Sequence, residues 1–96
     1  MSPQPALYTQ PAIKAEVLRL QVHRLLSYIL RRPIGEQENP SRASEPAWDS
    51  LKRIELMFLL EDHFEVRFSE QEMSELEDGL GIQRALDRIF EGRRAS

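Results

Sequence analysis

Two prolines bracket the most constraining stretch of this chain. Between Pro11 and Pro33, the apolar residues Ala15, Leu18, Val22, Leu25, Leu26 and Ile29 recur largely at helical spacing. That spacing collects them on one face and predicts a helix over 12–31. Glu16, His23 and Ser27 fall on the other face, and Ile13 and Leu20 point outward as ordinary exposed apolar residues. Pro11 suits a first helical turn, where its missing N–H is no loss. Arg31 and Arg32 suit the negative end of the helix dipole, and Pro33 stops the helix.

Downstream, Pro33, Gly35, Asn39, Pro40, Ser41, Ser44 and Pro46 break any period, so 33–47 reads as a loop. It is longer than a common helix–helix connection, and such loops tend to be functional or partly disordered. Ile34 is expected to pin it to the core. A second helix is expected over Ser50 to Phe64, with Asp49 as its N-cap. Ser69-Glu70-Gln71-Glu72 fits a capping box opening a third, short helix. Gly79 and Gly81 mark a break. A last helix over 82–91 then carries Ile82, Leu86, Ile89 and Phe90. There is no internal repeat, and Val66-Arg67-Phe68 is too short to argue a strand. The fold class predicted is all-α: a small four-helix bundle of three main helices and one short one. Residues 1–10 are expected to be a flexible segment, 11–91 the domain, and 92–96 a frayed tail.

A chain of 96 residues suits one small domain with little room for a deep cleft of its own. That favours a binding or carrier module over an enzyme. Cysteine is absent, which excludes disulfides, zinc thiolates and thiol catalysis by the chain itself. A net charge of −3 leaves no electrostatic footprint for nucleic acid. No apolar run is long enough to cross a bilayer, and the N-terminus lacks the pattern of a signal peptide, so a cytoplasmic location is expected.

The second helix is the informative element. On a helical wheel Leu56, Met57, Leu60 and Phe64 form a core face flanked by Ile54 and Leu59. Opposite lie Leu51, Glu55, Phe58 and Asp62, with Glu61 at the edge. Two large apolar side chains between carboxylates suit a docking surface, where apolar anchors give contact energy and charges set register. A helix packed on more than one side gives the same pattern. Ser50, directly after the cap, would place an anionic group against free backbone N–H groups at the positive end of the dipole.

Read together, Trp48-Asp49-Ser50-Leu51, Ile54-Glu55-Leu56, Leu60-Glu61 and Phe64 resemble the acyl carrier protein family, which has an Asp-Ser-Leu motif at the start of its second helix. The likeness continues through Val66-Arg67-Phe68-Ser69, the acidic third helix and Ile82-Gln83-Arg84-Ala85-Leu86-Asp87-Arg88-Ile89, and covers roughly 47–90. The first helix matches in pattern only. The resemblance implies an acyl-carrier-type bundle in which a phosphopantetheinyl transferase modifies Ser50, within Asp49-Ser50-Leu51, with 4′-phosphopantetheine from coenzyme A. The arm's thiol would hold acyl groups as thioesters for the acyl-transferring or acyl-synthesising enzymes of fatty-acid, lipid or related biosynthesis. It further implies that Leu51, Glu55, Phe58, Glu61 and Asp62 meet partner enzymes. Ile54, Leu56, Leu59 and Leu60 match positions lining an interior where an acyl chain can shelter.

Three features differ from housekeeping carriers. Lys52 and Arg53 put positive charge where those are usually acidic, Trp48 replaces a small residue, and the N-terminal part is longer. Trp48 either packs beside the arm or braces the loop. Together these suggest a specialised carrier, expected to be a monomer with no catalytic residue and no metal. A peptidyl or aminoacyl carrier is the nearest alternative, although such carriers usually show a Gly-rich approach to the serine. An unmodified helical interaction module is the other. His23 and His63 lack metal-ligand spacing. The acidic residues Glu70, Glu72, Glu75, Glu77 and Asp78 lack the pattern of a calcium loop and read as a solvated face.

Overall fold

The computed structural model of the chain describes residues 14–95. Among the described residues four helices follow one another: α1 (Ala15–Leu30), α2 (Ser50–Phe64), the short α3 (Glu70–Met73) and α4 (Gly79–Ala95). Among the described residues there is no strand, and the only β-type pairing is a single antiparallel bridge between Ser41 and Asp78. Helix α1 packs against both α2 and α4. The chain is thus a compact all-α domain.

The core is built from the periodic residues of all three long helices. Leu18, Val22, Leu26, Ile29 and Leu30 of α1 meet Leu56, Leu60 and Phe64 of α2 and Ile82, Ala85 and Leu86 of α4. Trp48, Val66, Phe68 and Leu76 close it from the connections. Ala15, placed on the apolar face by period, stands exposed at the start of α1, beyond the reach of that core. The expected start at Pro11, and with it Ile13 and the segment 1–10, lies outside the described residues. Lys14 is extended, and α1 begins after it.

The ends of α1 and α2 and the start of α3 show why they fall where they do. Arg31 adopts a left-handed conformation (φ 59°), and its N–H and that of Arg32 both reach the Ser27 carbonyl, at 2.8 and 3.3 Å. Glu65 ends α2 the same way (φ 55°). At α3 the capping box is complete: Ser69 Oγ accepts from the Glu72 N–H at 3.1 Å, and Glu72 Oε1 accepts from the Ser69 N–H at 2.8 Å.

Two boundaries correct the sequence reading. Helix α4 starts at Gly79, so Gly79 and Gly81 form its first turn and do not break it. Its N–H groups are all satisfied. Gly79 donates to the Pro40 carbonyl (3.0 Å), Leu80 to Asn39 Oδ1 (2.9 Å), Gly81 to Asp78 Oδ1 (2.7 Å) and Ile82 to the Asp78 carbonyl (3.1 Å). Nor does the last helix end at Glu91: α4 runs on to Ala95, and Ser96 lies outside the described residues. Arg93 lies over the Phe90 ring at 5.9 Å and donates to the Glu65 carbonyl, tying this last turn to the end of α2.

The loop 33–47 is likewise ordered by specific ties. Arg32 forms ion pairs with Glu38 and Glu45 and donates to the Pro33 carbonyl at 2.9 Å. Pro40 is fully buried, while Ile34 packs against the core only partly. Folding the loop back covers His23. That residue, assigned to the outer face by helical period, is 8% exposed. A wheel shows only the faces of α1, not the distant segment that lies across one of them.

Candidate functional site

Ser50 is the first residue of α2 and is exposed. Asp49 before it is extended (φ −89°, ψ −172°), and its carboxylate accepts the Lys52 N–H at 2.9 Å. The Asp49 carbonyl takes the Arg53 N–H, also at 2.9 Å. The N–H groups of Ser50 and Leu51 find no acceptor among the described residues. A hydroxyl is thus presented to solvent beside two open donors at the positive end of a 15-residue helix. This arrangement fits a phosphodiester on Ser50 Oγ.

The approach to Ser50 is held by burial and hydrogen bonds. Trp48 is 2% exposed and belongs to the core, so its place is that of a brace. Its backbone N–H donates to the Glu45 carbonyl at 2.9 Å, and its backbone carbonyl accepts from Arg42 Nε at 3.2 Å. Arg42 continues to Glu77, to both carboxylate oxygens at 3.4 Å, while its own N–H donates to the Glu77 carbonyl at 2.8 Å.

The outward stripe of α2 is where the sequence placed it. Leu51 is 64% and Phe58 61% exposed, and Glu55 and Asp62 stand on the same side. Glu61 is partly withdrawn: its Oε2 accepts the Phe68 N–H at 2.9 Å, which ties α2 to the chain entering α3. Phe58, Glu61 and Asp62 line a shallow groove of about 410 Å³ with Val66 and Arg67.

The four residues expected to line the interior do not share one environment. Leu56 and Leu60 are closed into the core, at 1% and 0% exposure. Leu59 is half-buried. Ile54, at 47% exposure, belongs to the outer surface beside Leu51 and Phe58. Its wheel position, between the outward stripe and the core face, allowed either placement. Leu59 instead lines an open cleft of about 530 Å³ with Tyr28, Ile29, Arg31, Lys52 and Glu55.

The two cations of the first turn are both engaged. Lys52 Nζ pairs with Glu55 at 3.2 Å. Arg53 turns toward α3, giving Nε to Glu77 Oε2 at 3.2 Å and a terminal nitrogen to the Met73 carbonyl at 2.9 Å. Glu77, read from sequence as part of a solvated face, therefore joins Arg42 and Arg53. Nothing local in the sequence signals this, because the partners lie 35 and 24 residues away. Among the described residues no cluster of His, Asp or Glu is placed to hold a metal ion, and no helix is long and apolar enough to cross a membrane. Comparison with protein-family models, curated proteins and solved structures found no match to this chain.

Proposed function

We propose that this chain is an acyl carrier bearing a 4′-phosphopantetheine arm on Ser50. The observation that carries this reading is the geometry at the start of α2. Ser50 is exposed at the first helical position, and Asp49 satisfies the Lys52 N–H while the Ser50 and Leu51 N–H groups stay open. Together with the Asp49-Ser50-Leu51 motif in its context, this suits an anionic attachment. The arm, once attached, supplies a thiol that holds acyl groups as thioesters. The chain's own residues position the attachment point and offer a face to a phosphopantetheinyl transferase and to acyl-transferring or acyl-synthesising enzymes. Leu51, Ile54 and Phe58 supply apolar contact there, and Glu55 and Asp62 supply charge. Lys52 is paired with Glu55 and Arg53 with Glu77, so neither cation adds free positive charge to that face, and Asp62 carries more of its net charge than Glu55.

A second reading rests on the same exposed residues. Leu51, Ile54 and Phe58 on one side of α2 would also serve an unmodified helical module that binds a partner groove. Incubation with coenzyme A and a broad-specificity phosphopantetheinyl transferase separates the two. A mass gain of one phosphopantetheine, lost in Ser50→Ala, supports the carrier. No gain with several transferases favours the unmodified module.

A further inference from the structure

The short helix α3 is the least anchored element of the bundle. It has four residues, none of them fully buried. Besides the half-buried Met73 and the core residues Phe68 and Leu76 on either side, what holds it is a set of polar ties. The Ser69 capping box fixes its start, Glu61 holds the Phe68 N–H before it, Arg88 pairs with Glu75 after it, and Arg53 reaches the Met73 carbonyl from α2. Elements with little buried surface and few ties open locally at low cost.

The Arg53 tie is singular in its position. Arg53 lies three residues after Ser50, so the two side chains are neighbours on one side of α2. Met57, four residues further on, continues that side and is half-buried against the core, as is Met73 of α3. Long unbranched side chains of this kind repack readily. The guanidinium fork thus reaches from α2 to the end of α3 and the turn after it, holding the Met73 carbonyl and the Glu77 carboxylate at once. By helical spacing, a group attached to Ser50 starts within one turn of Arg53 on one side and of the exposed Ile54 on the other.

We infer that Arg53 is a bolt across the α2–α3 seam, one that keeps a Ser50-borne acyl chain out of the bundle interior. This rests on the carrier reading above. While the bolt is closed the chain carries its cargo outside the core, and the interior beside Leu56 and Leu60 stays packed. Short or polar acyl groups, which gain little from burial, suit such a carrier better than long aliphatic ones.

Two measurements test the bolt. The first uses the unmodified chain and does not depend on the arm. In Arg53→Met, which keeps an apolar stem over the seam, the Ser74 and Leu76 amides are expected to exchange with solvent deuterium roughly tenfold faster than in the wild type. Glu77→Gln should move them the same way by less. Unchanged exchange in both variants overturns the bolt. The second measurement loads the wild type and Arg53→Met with acetyl or octanoyl phosphopantetheine, checks loading by mass, and follows thioester cleavage by hydroxylamine. The wild type should lose both acyl groups at similar rates, whereas Arg53→Met should protect octanoyl several-fold and leave acetyl unchanged. Octanoyl already protected in the wild type, or unprotected in the variant, overturns the inference. Failure to load at Ser50 overturns the carrier reading instead, and the exchange data then decide the bolt alone.

Discussion

Asn39 and Asp78 clasp each other across 39 residues of chain, with Asn39 Nδ2 donating to Asp78 Oδ2 at 3.1 Å. Each also caps α4, Asn39 through the Leu80 N–H and Asp78 through the Gly81 N–H. The pair therefore joins the loop before α2 to the start of the last helix. Asn39→Ala and Asp78→Ala should each lower unfolding free energy by about 1 kcal/mol, the usual worth of a cap. Because the two side chains share one network, the double variant should lose about 0.5–1 kcal/mol less than the sum. Urea unfolding of the four proteins measures this coupling.

Glycines within α4 should respond with opposite signs. A Cβ on Gly81 would sit 2.0 Å from the Glu75 carbonyl oxygen and 2.8 Å from Asp78 Oδ1, so backbone must move to admit it. Gly81→Ala is expected to destabilise by about 2–3 kcal/mol. A Cβ on Gly92 meets nothing within 4 Å, and Gly92→Ala should stabilise by about 0.5–1 kcal/mol through lower unfolded-state entropy. Thermal melts of both variants beside the wild type provide the check.

These glycines also show how far the sequence could be read. Features set within a few residues were legible: the Asp49 cap, the Ser69–Glu72 capping box, the span Ser50–Phe64 and its exposed Leu51–Phe58 side. Gly79 and Gly81 were read as a break because glycine commonly ends helices. Here Gly81 answers a close approach of the Glu75 carbonyl, and the turn is held by Asn39 and Pro40 from a distant loop. His23 is misplaced and the pairing of the exposed Glu77 with Arg42 and Arg53 is missed for the same reason. Their surroundings are made by segments far along the chain, which no periodicity reports.

His23 should make stability depend on pH. Burial, then the neighbouring Arg19 charge, lowers its pKa below 6.5, with Glu38 opposing. The folded protein thus favours neutral His23, and the unfolded chain takes up the proton first. The contribution is fully present above pH 6.5 and is lost as pH falls below it toward the folded pKa. Glu38 responds lower down: hydrogen bonds from Arg32 and the Gly35 N–H hold it down to about 2, so its contribution is fully present above the ordinary carboxylate range and is lost progressively as pH falls through that range toward about 2. His23→Gln removes only the first effect. Its unfolding free energy should approach that of the wild type as pH falls from about 8 to about 5. An unchanged gap, read by urea denaturation, would contradict the assignment.

The central claim concerns the hydroxyl of Ser50, and peptide-level mass spectrometry tests it most directly. The wild type, Ser50→Ala and Asp49→Ala are each incubated with coenzyme A and a broad-specificity transferase, then digested. The account expects one phosphopantetheine on the peptide containing Ser50 in the wild type, none in Ser50→Ala, and the same helical circular dichroism in both. A wild-type chain that stays unmodified with several transferases, or one modified elsewhere than Ser50, would contradict it.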